Sequence, residues 1–269
     1  MIGKNHYKKV ISASRRVDLV AFYPEYMAER LEEIGTENIH SLVIWTKDLH
    51  NILAHSQLNR ILKQLDQVII LLIVTGLGGT PLEPNAPSVD HVFQQLPPLI
   101  DFLGSAQRLV IRYDPLIDVI YQERIHLSNL DINMFTDILN RAHLLGIKRV
   151  VVSYVTLYRK VEKRLKANDF RIIDYPMEKV VDFIRSQMIP QAEKLEMELS
   201  TCVFPNLTTK GCIDGRTLSS LHPLQEPCSQ AKDQTQRTEC HCTKSFDIGQ
   251  WFACYHNCLY CYGNPIGNP

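Results

Sequence analysis

The sequence predicts an α/β fold: a parallel (β/α)6-type partial TIM barrel with an irregular, cysteine-rich C-terminal extension. Three observations predict it. Six short apolar runs rich in β-branched residues alternate with stretches of helix formers. The runs end in polar or cationic residues, as the working rim of a parallel barrel requires. No cysteine precedes Cys202, and the texture of the chain changes just beyond it. Residues 1–204 are therefore read as the barrel domain. Residues 205–269 are read as a cluster-binding extension packed on the barrel mouth.

The elements follow in order. Lys9–Ser14 is the first strand. Pro24 suits a first helical turn, Glu25–Ile34 carries helix formers, and Gly35 is the stop. Ser41–Lys47 is the second strand, and a helical stretch runs from about Asn51 to Leu65. Val68–Thr75 is a continuous apolar run, as expected of a strand buried on both faces. Gly76–Gly79 breaks it. Ser88 caps a helix that pauses at Pro97-Pro98 and ends before Gly104. Leu109–Tyr113 is the fourth strand. Ser128 with Asp131 reads as a capping box for a helix that stops at Gly146. Arg149–Val155 is the fifth strand. A short helix near Leu157–Lys166 precedes a long one over Pro176–Met197, with Asp174 as its cap. Leu199–Phe204 is the sixth strand. From Pro205 to Pro269 only brief regular elements are expected, so bound metal would have to supply order there.

Six strands separated by helices imply parallel pairing with right-handed crossovers. Gly76–Gly79 lacks the GxGxxG spacing of a dinucleotide fold, and no GK[ST] marks a P-loop. The carboxyl ends of the strands bring Arg15, Arg16, Lys47 and Arg112 to one rim, which suits an anionic or carboxylate-bearing ligand. The alternative for any one of them is an internal ion pair, such as Arg112 with Asp114.

Lys+Arg and Asp+Glu both total 29, and this balance argues against a protein that coats nucleic acid or anionic membrane through bulk charge. The longest apolar run, Val68–Val74, falls far short of the roughly 20 residues that span a bilayer. The basic start, Met1–Arg16, has no apolar stretch behind it and does not read as a signal peptide. A cytoplasmic location is the expectation.

Clustered cysteines in such a chain suggest metal rather than disulfides. The sharpest motif is Cys254-x3-Cys258-x2-Cys261. Three thiolates this close can hold three corners of a [4Fe-4S] cubane and leave the fourth iron for a non-protein ligand. Zinc is the competing reading. Cys240 and Cys242 with Cys254, Cys258 and Cys261 would supply a four-thiolate knuckle, with His241 or His256 as alternates.

This motif, with aromatic Tyr260 before its third cysteine, resembles the signature of radical S-adenosylmethionine (SAM) enzymes. The stretches ISASRRVD, VIWTKD, IRYDP, TCVF, GCIDG and CHCTKSFDIGQWFACYHNCLYCYGNP resemble a widespread bacterial family catalogued as a domain of unknown function, number 1848. The likeness covers nearly the whole chain. The VIWTK segment and the cysteine motif are more distantly similar to spore photoproduct lyase. One departure stands out: in radical SAM enzymes the motif usually follows the first strand, whereas here it follows the sixth.

The resemblance implies a [4Fe-4S] cluster on Cys254, Cys258 and Cys261 whose open iron chelates SAM. It implies Tyr260 near adenine or cluster, and Arg15, Arg16, Lys47 or Arg112 facing the SAM carboxylate or the substrate. Gly76–Gly79 would either let backbone approach SAM or serve as a plain connection. Cys202, Cys212, Cys240 and Cys242 match family cysteines and would close a second cluster, whereas Cys228 does not match. The expected partners are a small-molecule substrate of unknown identity and an electron donor such as flavodoxin or ferredoxin. The competing class is a non-catalytic barrel stapled by zinc or iron–sulfur. A nucleic-acid repair enzyme is the third reading, and no basic–aromatic stripe supports it.

Overall fold

The computed structural model describes residues 7–204, 207–208 and 210–266. All six expected strands form. They are β1 (Lys9–Ala13), β2 (Ile39–Thr46), β3 (Val68–Ile73), β4 (Leu109–Leu116), β7 (Arg149–Tyr154) and β9 (Glu198–Thr201). Four further strands are β5 (Asp118–Tyr121), β6 (Ile125–Ser128), β8 (Phe170–Ile172) and β10 (Phe246–Asp247). The main sheet has the order β10-β1-β2-β3-β4-β7-β9, and every pair in it is parallel. Its two edges, β10 and β9, do not pair with each other, so the fold is a mixed α/β protein without a closed barrel. The second sheet, β6-β5-β8, is antiparallel.

Strand periodicity of two assigns each face a different cover. Ile11, Leu42, Ile44, Ile70, Leu72, Ile111, Val150 and Val152 face the helices. There they meet Leu31 of helix Pro24–Ile34, Leu58 of Ser56–Leu62, Leu99 of Leu96–Leu103 and Phe135 of Ile132–Leu144. The alternate residues Val10, Val43, Trp45, Ile69, Leu71, Val110 and Val151 face the extension instead. They pack with Cys212, Ile213, Leu218, Cys228, Cys240 and Cys242. The β5–β6–β8 sheet has its own apolar cluster. It joins Val119 and Phe170 to Leu82, Leu165, Cys258, Leu259 and Tyr260. Each apolar side chain fully buried in these layers contributes roughly 1.5–3 kcal/mol of burial free energy.

Several local expectations need correction. Helix Ile132–Leu144 is capped by Asp131, which accepts from the N–H groups of Asn133 and Met134; Ser128 instead accepts from Leu130 N–H. Asp174 caps nothing and accepts from the Tyr154 hydroxyl. The Pro176–Met197 helix is interrupted by a π-helical turn at Ile184–Met188, just before Pro190, which has no N–H to continue the ladder. The helix from Asn51 breaks at extended His55 into His50–Ala54 and Ser56–Leu62. Asp18 caps a short helix, Leu19–Phe22, that was not expected. The extension is more ordered than its composition suggests. It contains helix Gly215–Leu221, and β10 adds to the sheet edge beside β1. Residues 1–6 of the basic start, 205–206 at the expected domain boundary, and 267–269 lie outside the described residues. Among the described residues no helix is long and apolar enough to cross a membrane.

Candidate functional site

A cavity of about 400 Å³ opens at the carboxyl ends of the main strands. Ser14 beyond β1, Trp45 of β2 and Lys47 just beyond it, Ile73 of β3, Arg112 and Asp114 of β4, Ser153 of β7 and Cys202 beyond β9 line it. Those within the strands stand two residues apart on the face that the extension covers, so the same alternation that buries Val43 and Val110 aims Trp45 and Arg112 at the cavity. The extension closes the opposite wall with Cys212, Cys240, Cys242, Cys254, Cys258 and Cys261. Seven of the eight cysteines therefore face one cavity. Cys228 does not; its thiol lies against the Gly215 carbonyl.

The loop carrying Cys254, Cys258 and Cys261 is held from several sides. Cys254 N–H donates to the Asn264 carbonyl at 2.8 Å, and Leu259 N–H to the Leu82 carbonyl at 3.0 Å. Arg164 donates to the carbonyls of Leu259 and Cys261 at 3.1 and 2.6 Å. Gly263 N–H donates to Cys261 Sγ at 3.2 Å, and a Cβ at Gly263 would stand 3.2 Å from the same sulfur. The backbone thus approaches the thiol as closely as glycine allows. His256 Nε2 lies 2.8 Å from Asp18 Oδ2. Asp18 also accepts from the Thr46 hydroxyl, Lys47 N–H and Ala21 N–H at 2.9, 2.8 and 3.0 Å. One buried carboxylate therefore ties β1, β2 and the loop together.

Behind the loop lies a buried polar group. Lys47 Nζ donates to Glu83 Oε2 at 2.9 Å. Glu83 Oε1 accepts from the Thr75 hydroxyl at 2.7 Å and from the Tyr260 hydroxyl. Lys47 is therefore not a surface cation. Burial opposes its charge, but Glu83 and then the Cys258 and Cys261 thiols hold its pKa above the ordinary value. Tyr260, buried against Glu83, is pushed well above the usual phenol range by burial first and by Glu83 second. Burial pushes Cys254 up to about 12, reinforced by Asp18 and Cys261. It also raises Cys258, against the pull of Lys47, and Cys261, against Gly263 N–H, Arg164 and Lys47. Without a bound cation these thiols hold their protons at neutral pH.

Gly76–Gly79 acts as a connection. A Cβ at Gly78 would meet the Pro87 carbonyl oxygen at 2.0 Å and one at Gly76 the Met134 sulfur at 2.1 Å, so these glycines face the protein's own chain. The turn delivers Glu83, whose carbonyl accepts from Gly79 N–H at 3.0 Å.

The four expected cations do not act as one set. Lys47 stands by the three-thiol loop. Arg112 pairs with Asp114, as the ion-pair alternative held, and its Nη1 donates to Cys212 Sγ at 2.7 Å. Arg15 Nη1 donates to Ser245 Oγ at 3.1 Å. The guanidinium carbons of Arg15 and Arg112 lie 5.3 and 4.7 Å from the Trp45 ring centre. Arg15 Nη2 and Arg112 Nε are buried without a hydrogen-bond partner among the described residues. Arg16 turns outward to the Gly249 carbonyl, 2.5 Å away, and to the Trp251 ring.

The sulfurs also fall into two sets. Cys212, Cys240 and Cys242 pack in the apolar cluster between the extension and the sheet, with Cys202 against it. Cys254, Cys258 and Cys261 act on one another. This grouping differs from the zinc knuckle that joins Cys240 and Cys242 to the loop, and its alternate His256 is engaged with Asp18. Among the described residues no three or more His, Cys, Asp or Glu side chains are gathered as ligands of a metal ion.

Glu83 and Arg164 were not singled out in the sequence, and Asp18 and Trp45 stood there only among the residues at the strand ends, without a role. Asp18 and Trp45 lie inside the family-like stretches ISASRRVD and VIWTKD, which was the available signal. Glu83 and Arg164 carry no local signal, because their partners are distant in sequence.

A family model described as a domain of unknown function (DUF1848) matches residues 10–263, and the chain belongs to that family. No curated protein matches it, and no solved structure does.

Proposed function

We propose that this member of the DUF1848 family is a radical SAM enzyme that binds a [4Fe-4S] cluster through Cys254, Cys258 and Cys261. The observation that carries the reading is the convergence of those three thiols on a cavity of about 400 Å³ that has cationic side chains on its wall. The donor set fits the group. It is all sulfur, the class that iron–sulfur clusters take. A cubane spreads its ligand sulfurs over separate irons, so they stand wider apart than around one zinc ion. In this reading the main sheet, with the helices of residues 1–204 on one face, is a partial barrel over those residues, and residues 205–269 form its cluster-bearing cover on the other face.

A [4Fe-4S] cluster held by Cys254, Cys258 and Cys261 would supply one-electron reductive cleavage of SAM and the radical chemistry that this makes available. The chain's own residues do the rest. Gly263 N–H and Lys47 stabilise thiolate at Cys261, and Lys47 also faces Cys258. Glu83 holds Lys47 and Tyr260 in place. Asp18 and His256 fix the loop against the strands. The free N–H groups of Arg15 and Arg112 suit a carboxylate on SAM or on the substrate. Apolar walls and the extension keep water from the reacting atoms. A small-molecule substrate, a flavodoxin- or ferredoxin-class electron donor and a cytoplasmic location go with this reading.

The test is anaerobic reconstitution, reduction and addition of SAM. The expected result is slow formation of 5′-deoxyadenosine and a changed paramagnetic resonance signal. Cys258→Ala abolishes both. Cleavage that persists in the cluster-free variant refutes the mechanism. Metal-dependent stability without cleavage favours the non-catalytic stapled barrel.

A further inference from the structure

We propose that Cys202, Cys212, Cys240 and Cys242 form a second iron–sulfur site, closed by four protein thiolates and distinct from the three-thiol loop. The proposal rests on the proposed function only in placing both sites on one cavity. The thiols come from three separated segments. Cys202 follows β9, where its N–H donates to the Val152 carbonyl at 2.8 Å. Cys212 sits in a turn that is stacked on the backbone of residues 241–242. A Cβ at Gly211 would stand 2.5 Å from the His241 carbonyl oxygen and 2.6 Å from Cys242 Cα, so only glycine fits there. Thr243 N–H donates to the Ile213 carbonyl at 2.9 Å, and Ile213 N–H to Cys242 Sγ at 3.5 Å. These contacts fix the Cys212 and Cys242 segments against each other without a disulfide, since all eight cysteines are free thiols.

The surroundings suit an anionic cluster. Arg112, buried, donates from Nη1 to Cys212 Sγ at 2.7 Å, and its Nε is left without a partner among the described residues. The Arg15 guanidinium carbon stands 5.3 Å from the centre of the Trp45 ring, which packs with the same thiols. Asp114 and Asp247 neutralise part of the Arg112 and Arg15 charges, and Arg15 keeps one buried N–H pair free. Val43, Leu71, Val110 and Val151 form the apolar floor.

Four thiolates on four irons leave no corner for a substrate atom. The chemistry left to such a cluster would be outer-sphere: it would take one electron from a flavodoxin- or ferredoxin-class donor, which is oxidised, and hand that electron to the cluster proposed on Cys254, Cys258 and Cys261, which faces the same cavity. The Arg112 N–H on a ligating sulfur stabilises the reduced, more negative form and so raises the reduction potential.

Iron and sulfide analysis of the anaerobically reconstituted full chain tests this. About eight irons per chain are expected in the parent, and about four in Cys212→Ser and in Cys240→Ser. The SAM-induced resonance change should persist in both variants. Cys228→Ala, at the buried cysteine outside the set, should keep the parent content. A parent with about four irons that Cys212→Ser does not lower overturns the proposal and leaves the first site standing. One equivalent of zinc lost on Cys212→Ser, with iron unchanged, overturns it too. Conversely, a full iron content with no SAM cleavage removes the proposed function and leaves this site. Arg112→Met keeps every ligand and covers the case in which the serine variants do not fold. Its iron content should match the parent while one of two reduction potentials moves negative; no movement of either potential counts against the site.

Discussion

Lys47→Met gives the sharpest test of the polar group behind the three-thiol loop. In the native protein Lys47 is buried, and its ammonium lies 2.9 Å from Glu83. Removing one partner of such a pair typically costs about 3–5 kcal/mol, because the other charge stays buried without compensation. Glu83 keeps the Thr75 and Tyr260 hydroxyls as donors, so the lower end, about 3 kcal/mol, is expected. For a chain of this size that loss lowers the thermal midpoint by roughly 6–12 °C. The double variant Lys47→Met/Glu83→Gln removes both charges and keeps an acceptor for the two hydroxyls, so it should recover much of the loss. The assay is urea denaturation of the metal-free protein at neutral pH, followed by tryptophan fluorescence, for the parent, both single variants and the double variant. A Lys47→Met cost below about 1 kcal/mol refutes the claim of an essential buried pair. So does a double variant whose loss equals the sum of the two single losses, since coupled neighbours do not add.

Two further predictions concern the loop anchor and acid stability. Asp18→Ala removes an acceptor shared by Thr46, Lys47, Ala21 and His256, so iron should leave the reconstituted variant faster under chelator than it leaves the parent. An unchanged release rate would show that the loop is held elsewhere. His222 is buried with its ring 4.4 Å from that of His40. Burial first, and His40 second, lower its pKa below the ordinary value. The unfolded chain therefore binds a proton more readily than the folded one, so this contribution is present above about pH 6.5 and is lost as pH falls through the lowered folded value. Urea midpoints at pH 7.5 and 5.5 should differ less in His222→Gln than in the parent; an equal difference in both disproves the assignment.

The working rim was legible because its cause is local. Apolar β-branched runs named the six main strands, and alternation with a period of two sends Trp45, Arg112 and Ser153 to the face opposite the helices. The Cys254-x3-Cys258-x2-Cys261 spacing marked one thiol set before any fold was known, and the family resemblance, not spacing, supplied Cys202, Cys212, Cys240 and Cys242 as the other. The β5–β6–β8 sheet was missed because its strands are four, four and three residues long, too short for a periodic signal. The Ser128 cap was misplaced because Asp131 offers the same oxygen three residues closer to the helix.

The sequence by itself determined the strand and helix alternation, the polar strand ends and the confinement of thiols to the last quarter of the chain. Those features depend on residues within a few positions of one another. Only the tertiary structure decided that the extension covers the bare face of the sheet, that Lys47 belongs to Glu83, and that Arg112 reaches Cys212. Each of these depends on contacts between segments far apart in the chain, such as Asp18 with His256 and Arg112 with Cys212. How an irregular segment returns to a sheet is set by the packing and hydrogen bonds of the whole, which no local period encodes.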